Sequence, residues 1–185
     1  MKTQLPRLRE TRSAWKGALA GVIAGAAATV VMTQFQNAWN WTSERLKSNE
    51  DQSQKPQAPK PQESGENATS KVAGSIAALA GHELSHQEKE KGGALVHYGF
   101  GTTVGTVYGL TMEMTARNLK PQRALAGLGF GTALFLAADE VMVPALGLSE
   151  KPGEQPLGSH IYGLVSHLVY GIATEGFRGL VRRFL

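Results

Sequence analysis

Apolar residues in this chain neither alternate nor form narrow helical stripes. They gather in four long runs without Asp, Glu, Lys or Arg: Gly17 to Ser43, Gly92 to Met112, Ala124 to Leu148 (broken only by Asp139 and Glu140) and Gln155 to Thr174. At about 1.5 Å per residue, runs of this length suit helices that cross a hydrocarbon core of about 30 Å. The pattern predicts an all-α fold, an integral membrane bundle of four transmembrane helices at 17–41, 92–116, 124–148 and 157–178. Polar residues pool at 1–16 and 42–91. The first stretch reads as a cytoplasmic basic N-terminus. The second reads as an external disordered tether with a short extra helix at 72–90, because residues 48–71 are Pro, Gln, Glu, Ser and Lys, which build no core. Residues 179–185 read as a cytoplasmic basic C-terminus.

Composition sharpens this picture. The mean hydropathy is slightly negative, but that average hides the segregation. Glycine is abundant, 22 residues, and cysteine is absent, which excludes disulfides, thiolate metal sites and Cys nucleophiles. Most glycines fall inside the apolar runs, where soluble helices avoid them and membrane helices use them for close packing. Gly17, Gly21 and Gly25 recur at i+4, as do Gly101, Gly105 and Gly109, so each set is a candidate helix-packing ridge. The Gly127/Gly129/Gly131 and Gly99/Gly101 strings complete no dinucleotide loop and read as packing glycines too. Trp15, Trp39 and Trp41 flank the first run as interfacial anchors do. A cleaved signal peptide, with Ala26-Ala27-Ala28 at its cleavage region, is the rival reading of that run.

Charge orients the bundle. Five Lys/Arg lie in residues 1–16; Arg117, Lys120 and Arg123 lie between the second and third runs; Arg178, Arg182 and Arg183 follow the fourth. Only Lys151 lies between the third and fourth. The positive-inside rule then places both termini in the cytoplasm. The net charge of +4 is dispersed over segment ends, so no nucleic-acid partner is expected.

The candidate chemistry is intramembrane. Asp139 and Glu140 sit in the third run, four or five residues before Pro144, whose missing N–H should strand the carbonyl of Glu140. His97, His160 and His167 occupy the second and fourth runs. Counted from the helix centres, His97 and His160 lie about 10 Å outward, and the carboxylates about half as far. These five form a candidate polar cluster in the external half, able to relay protons or hold a divalent metal. The favoured alternative is structural His–carboxylate bonding that fixes helix orientation. Glu113 with Arg117, and Glu175 with Arg178, have the spacing of helical ion pairs. His82-Glu83-Leu84-Ser85-His86 matches the zinc-protease string H-E-x-x-H, but a charged, exposed stretch supplies neither a third ligand nor a substrate domain.

Trp15-Lys16-Gly17 opening a glycine-ridged run that ends in Gln34-Phe35-Gln36, His97-Tyr98 among spaced glycines, Asp139-Glu140 before Pro144, and Ser159-His160-Ile161-Tyr162-Gly163 with His167 together resemble the YagU-like bacterial inner-membrane proteins, a family of unknown function. The resemblance covers most of the chain outside the tether. It implies a multi-pass protein of the bacterial inner (plasma) membrane, a loose association with acid tolerance, and no known enzymatic activity. The expectation is therefore a non-enzymatic membrane protein of envelope or acid-stress physiology, or an accessory subunit. It needs no cofactor, and its partners are the lipid bilayer and a homo-oligomer or larger membrane complex. The second expectation is a small oligomeric transporter, or a proton- or metal-handling protein using the intramembrane cluster.

Overall fold

The computed structural model describes residues 7–51, 67–115 and 123–185. Residues 1–6, most of the expected tether, and the 116–122 connection with Arg117 and Lys120 lie outside the described residues, as does the side chain of Arg123.

Among the described residues the regular structure is all helical, without strands. Helix α1 (Arg7–Asp51) runs for 45 residues, past both ends of the expected 17–41 span. Helix α2 (Ala68–Leu79) is short, α3 spans His86–Thr115, α4 spans Arg123–Phe135, α5 is the single turn Val143–Ala145, and α6 spans Leu157–Val181. Helix α1 packs on α3 and α6, α4 packs on α6, and α2 lies along the start of α3. Two stretches, Ala14–Leu46 and Ala124–Ala145, are long and apolar enough to cross a membrane. Helices α3 and α6 fall outside that class, since their runs are diluted by Gly, Thr, Tyr and His.

Glycine sets the closest approaches. A Cβ on Gly21 would come within 2.5 Å of the Gly105 carbonyl, and one on Gly25 within 2.7 Å of the Gly101 carbonyl. A Cβ on Gly17 would meet the side chain of Glu113 at 2.7 Å and the Gly109 carbonyl at 2.9 Å. The six ridge glycines thus face one another, Gly17 opposite Gly109 and Gly25 opposite Gly101, which makes α1 and α3 antiparallel. Gly127 and Gly131 of α4 meet Gly171 and the backbone of His167 in α6 in the same way. Gly99 and Gly129 are the exceptions to the packing expectation, for both face open space.

Local signals end the elements where the runs alone did not. Asn67 caps α2: its side-chain oxygen accepts the N–H of Ser70 at 2.8 Å. Helix α2 then stops at Gly81, which has φ +77°. The N–H groups of Gly81 and His82 turn back to the carbonyls of Ala78 and Ala77, a glycine-dependent C-terminal cap. The expected 72–90 helix is therefore two elements. Residues 82–85 are non-helical, and α3 starts at His86, before the expected 92. Ser85 caps α3 by a reciprocal box: Glu88 Oε2 accepts from the Ser85 N–H at 2.9 Å and from its hydroxyl at 2.7 Å, and the Glu88 N–H returns to the Ser85 hydroxyl at 3.4 Å. His82 and His86 consequently share no helix face, and the zinc string loses the geometry it requires.

The third run departs most from a plain helix. After Phe135 the bonding widens to π-helix over Leu136–Met142, and Val143 N–H reaches the Ala138 carbonyl five residues back. The Pro144 ring would clash with the Glu140 carbonyl in an α-helix, and the wider turn relieves it. Past Pro144 the bonding returns to the α register, with Leu146 N–H on the Met142 carbonyl at 3.0 Å. Gly147, at φ +69°, closes the segment.

Candidate functional site: a polar ladder through the bundle

The π turn carries both carboxylates toward α6. His160 Nδ1 lies 2.6 Å from Glu140 Oε1, and His160 Nε2 lies 2.9 Å from the Pro152 carbonyl oxygen. A carbonyl only accepts, so Nε2 carries a proton. The short Nδ1–carboxylate contact then also needs a proton between its atoms. One shared proton therefore holds the pair, on either the imidazole or the carboxyl. Two turns along α6, His167 Nδ1 donates to the Gly163 carbonyl at 2.9 Å and stands 3.5 Å from Asp139 Oδ2. His97 belongs with this inner pair, since its electrostatic neighbour is His167.

The five candidate residues are therefore brought to one end of the bundle but not into one site. They form an outer pair, His160–Glu140, and an inner group of Asp139, His167 and His97. Among the described residues no three His, Asp or Glu side chains converge as a metal ion requires.

The opposite end is built from Arg and Glu. Arg178 binds Glu175 through two parallel bonds of 2.7 Å, and both residues are buried. Tyr108 of α3 donates to the same Glu175 at 3.0 Å. Arg182 grips Glu113 of α3 through bonds of 2.7 and 2.8 Å, so Glu113 has an inter-helix partner that the sequence reading, aimed at Arg117, did not find. Lys16 of α1 donates to the main-chain oxygen of Leu185 at this end.

Between the ends, Tyr170 is 2 % exposed and its hydroxyl donates to the Gly101 carbonyl at 2.6 Å. Phe130 of α4 stacks on Tyr108 and tilts against Tyr170. The α3–α6 contacts thus form rungs of nearly constant offset: Gly101–Tyr170 and Glu113–Arg182 are 69 residues apart, and Tyr108–Glu175 is 67 apart. Only the constant offset, invisible before the two helices are placed, reveals this ladder.

Such a construction, an all-helical bundle with ionisable pairs inside it, defines a class of helical protein rather than an activity. Residues 57–176 match the family of proteins of unknown function DUF1440, and the chain belongs to that family. No curated protein and no solved structure matches the chain.

Proposed function

We propose that the chain is a four-span integral protein of the bacterial inner membrane, with the Arg–Glu end in the cytoplasm. One observation carries the reading: the protein is inside out by the standard of water. Its buried residues include Ala20, Ala24, Ala28, Thr29, Ser166, Thr174, Glu175 and Arg178, while Leu19, Val22, Ile23, Val30, Val31, Val107, Leu125, Leu136, Val141, Ile161 and Ile172 face outward. Water would reward the reverse arrangement. Lipid rewards small-residue interfaces and satisfied polar groups inside. The two spans that fail the length-and-apolarity test follow from the two that pass. Helix α3 runs antiparallel along the glycines of α1, and α6 along those of α4, a close pairing that supports α3 and α6 as spans beside their partners. Arg178, Arg182 and Arg183 close the last helix, whereas Lys151 is the one basic residue in the short connection before it; this asymmetry of the short connections supports cytoplasmic termini.

On this frame the chain acts as a non-enzymatic protein of envelope or acid-stress physiology, or as an accessory subunit, with lipid and a copy of itself or a larger complex as partners. The second reading, a small oligomeric proton-handling protein, draws its support from the two His–carboxylate pairs at one end. The metal-handling form of that reading has no converging ligand set among the described residues. The test is fractionation with an alkaline carbonate wash, beside a reporter fused after Leu185. Retention in the washed membranes and a cytoplasmic signal are expected. Release by the wash, or a periplasmic signal, overturns the reading.

A further inference from the structure

The α3–α6 ladder has one open rung. Stepping outward from Gly101–Tyr170 by one turn on each helix, the same offset of 69 sets His97 opposite Ser166. Among the described residues these two carry the buried side-chain atoms without a hydrogen-bond partner: His97 Nε2 and Ser166 Oγ. Ser166 is 1 % exposed. Serine in a helix commonly bonds back to the carbonyl four residues earlier, and Thr29, Thr106, Thr132 and Thr174 all do so here; Ser166 does not. The Gly101–Tyr170, Tyr108–Glu175 and Glu113–Arg182 rungs are each closed by a direct bond. A buried hydroxyl and a ring nitrogen without a protein partner each carry a desolvation penalty, which a guest able both to donate and to accept would remove.

We infer that the His97–Ser166 rung is a binding site for water, reached by protons from the external face and closed toward the cytoplasm. This rests on the four-span reading. The route in is lined by the ionisable pairs. His160–Glu140 stands at the mouth, and Asp139, its side chain 40 % uncovered by protein, reaches α6 beside Gly163 between the mouth and the rung, 3.5 Å from His167. The route ends at Tyr170, whose hydroxyl is committed to Gly101, and at its neighbours Phe130, Ala28 and Met32. A hydronium at the rung gives one proton to the His97 ring nitrogen; an O–H bond breaks, an N–H bond forms and water remains. The groups facing His97 are His167 and Ser166 from α6, with Asp139 behind His167. Helix α1 brings no ionisable group between Gly17 and Ser43, and the only one on α2, Lys71, donates to the Leu148 carbonyl 2.9 Å away.

The chain has no cysteine, so a single introduced thiol reports access cleanly. Ser166→Cys is nearly isosteric, and His97→Cys is the second probe. Silver ion, small and impermeant, displaces the thiol proton to form an S–Ag bond and blocks later alkylation. In full-length protein, silver applied to spheroplasts should block either thiol faster, by an order of magnitude, than silver applied to inverted vesicles. Equal or faster blocking from the cytoplasmic face, or none from either face, overturns the inference. Leu146→Cys and Met114→Cys, exposed at opposite ends of the bundle, serve as side markers. If both are reached from one face, it is the four-span reading that fails. Vesicles carrying wild-type protein and an internal pH dye should show no proton leak beyond protein-free vesicles; a leak would overturn the closed end.

Discussion

The two ends of this bundle solve one problem, placing ionic groups among packed helices, with different chemistry. At the Arg end, Arg178 and Arg182 hold Glu175 and Glu113 by paired bonds. Guanidinium stays charged at any physiological pH and its planar fork fits a carboxylate. At the His end, imidazoles hold Glu140 and Asp139 through single contacts, and each contact depends on where a proton sits. The Arg end is a fixed clamp on both hairpins. The His end is a set of contacts that each turn on the position of a proton. The open rung lies on the titratable side of Tyr170, where a change of charge can occur without breaking the clamp.

The difference can be broken first at the clamp. Glu175→Ala leaves Arg178 buried without its partner and Tyr108 without an acceptor. A loss of about 3–5 kcal/mol is expected, the range for breaking a buried pair. Thermal unfolding in detergent should show it equally at pH 5.5 and pH 7.5. A loss that varied between those two values would mean that this end titrates too.

Next comes the spacer between the ends. A side chain at Gly105 would run into the backbone of Gly25 and Gly21. Gly105→Leu should therefore force α1 from α3 and cost about 1–3 kcal/mol or more, as overpacking does. Gly129→Ala, at a glycine facing open space, should change the same unfolding midpoint little. Equal effects from the two substitutions would deny that ridge contact, rather than glycine content, sets the spacing.

A smaller effect belongs to the outer His pair. Both nitrogens of His160 are engaged, one by a carboxylate and one by a carbonyl, so the clasp needs its shared proton. Acid preserves it. Raising the pH removes that proton and leaves either Nδ1 or Nε2 presenting a lone pair to an acceptor. The 146–156 segment should then loosen, seen as faster amide exchange there in alkaline buffer, and His160→Phe should abolish the pH dependence. Unchanged exchange up to pH 10 would show that no shared proton holds the clasp.

What the sequence disclosed and what it hid divide along range. Run lengths disclose the helical rods, and the i+4 glycine spacing is visible before any partner helix is known. Glu175–Arg178 was legible because both residues lie on one helix turn. The Glu113–Arg182 and Tyr108–Glu175 bonds were not, since they depend on how two helices separated by nearly seventy residues are staggered. The π turn was half legible. Pro144 announces a disturbed carbonyl, but whether a helix kinks or widens depends on its packing, here on whether both Asp139 and Glu140 can reach α6. The break at Gly81 was missed because the polar residues after it suit a helix surface as well as a loop. That miss made the His82–His86 string look like one helix turn.

The smallest expected effect lies at the start of α3, outside the apolar runs. Glu88 closes the cap on Ser85, and the two hydrogen bonds from Ser85, its hydroxyl foremost, hold the Glu88 carboxyl below its ordinary range. A carboxyl depressed by folding stabilises the cap above its unfolded value, and that stability is lost as pH falls through the folded one. The first amides of α3 should therefore exchange faster in acid, and Glu88→Gln should leave them nearly insensitive to acid. This runs opposite to the alkaline loosening expected at His160. If the two segments loosened together at one extreme of pH, Glu88 and His160 would be reporting a single cooperative opening of the His end, not two locally governed contacts.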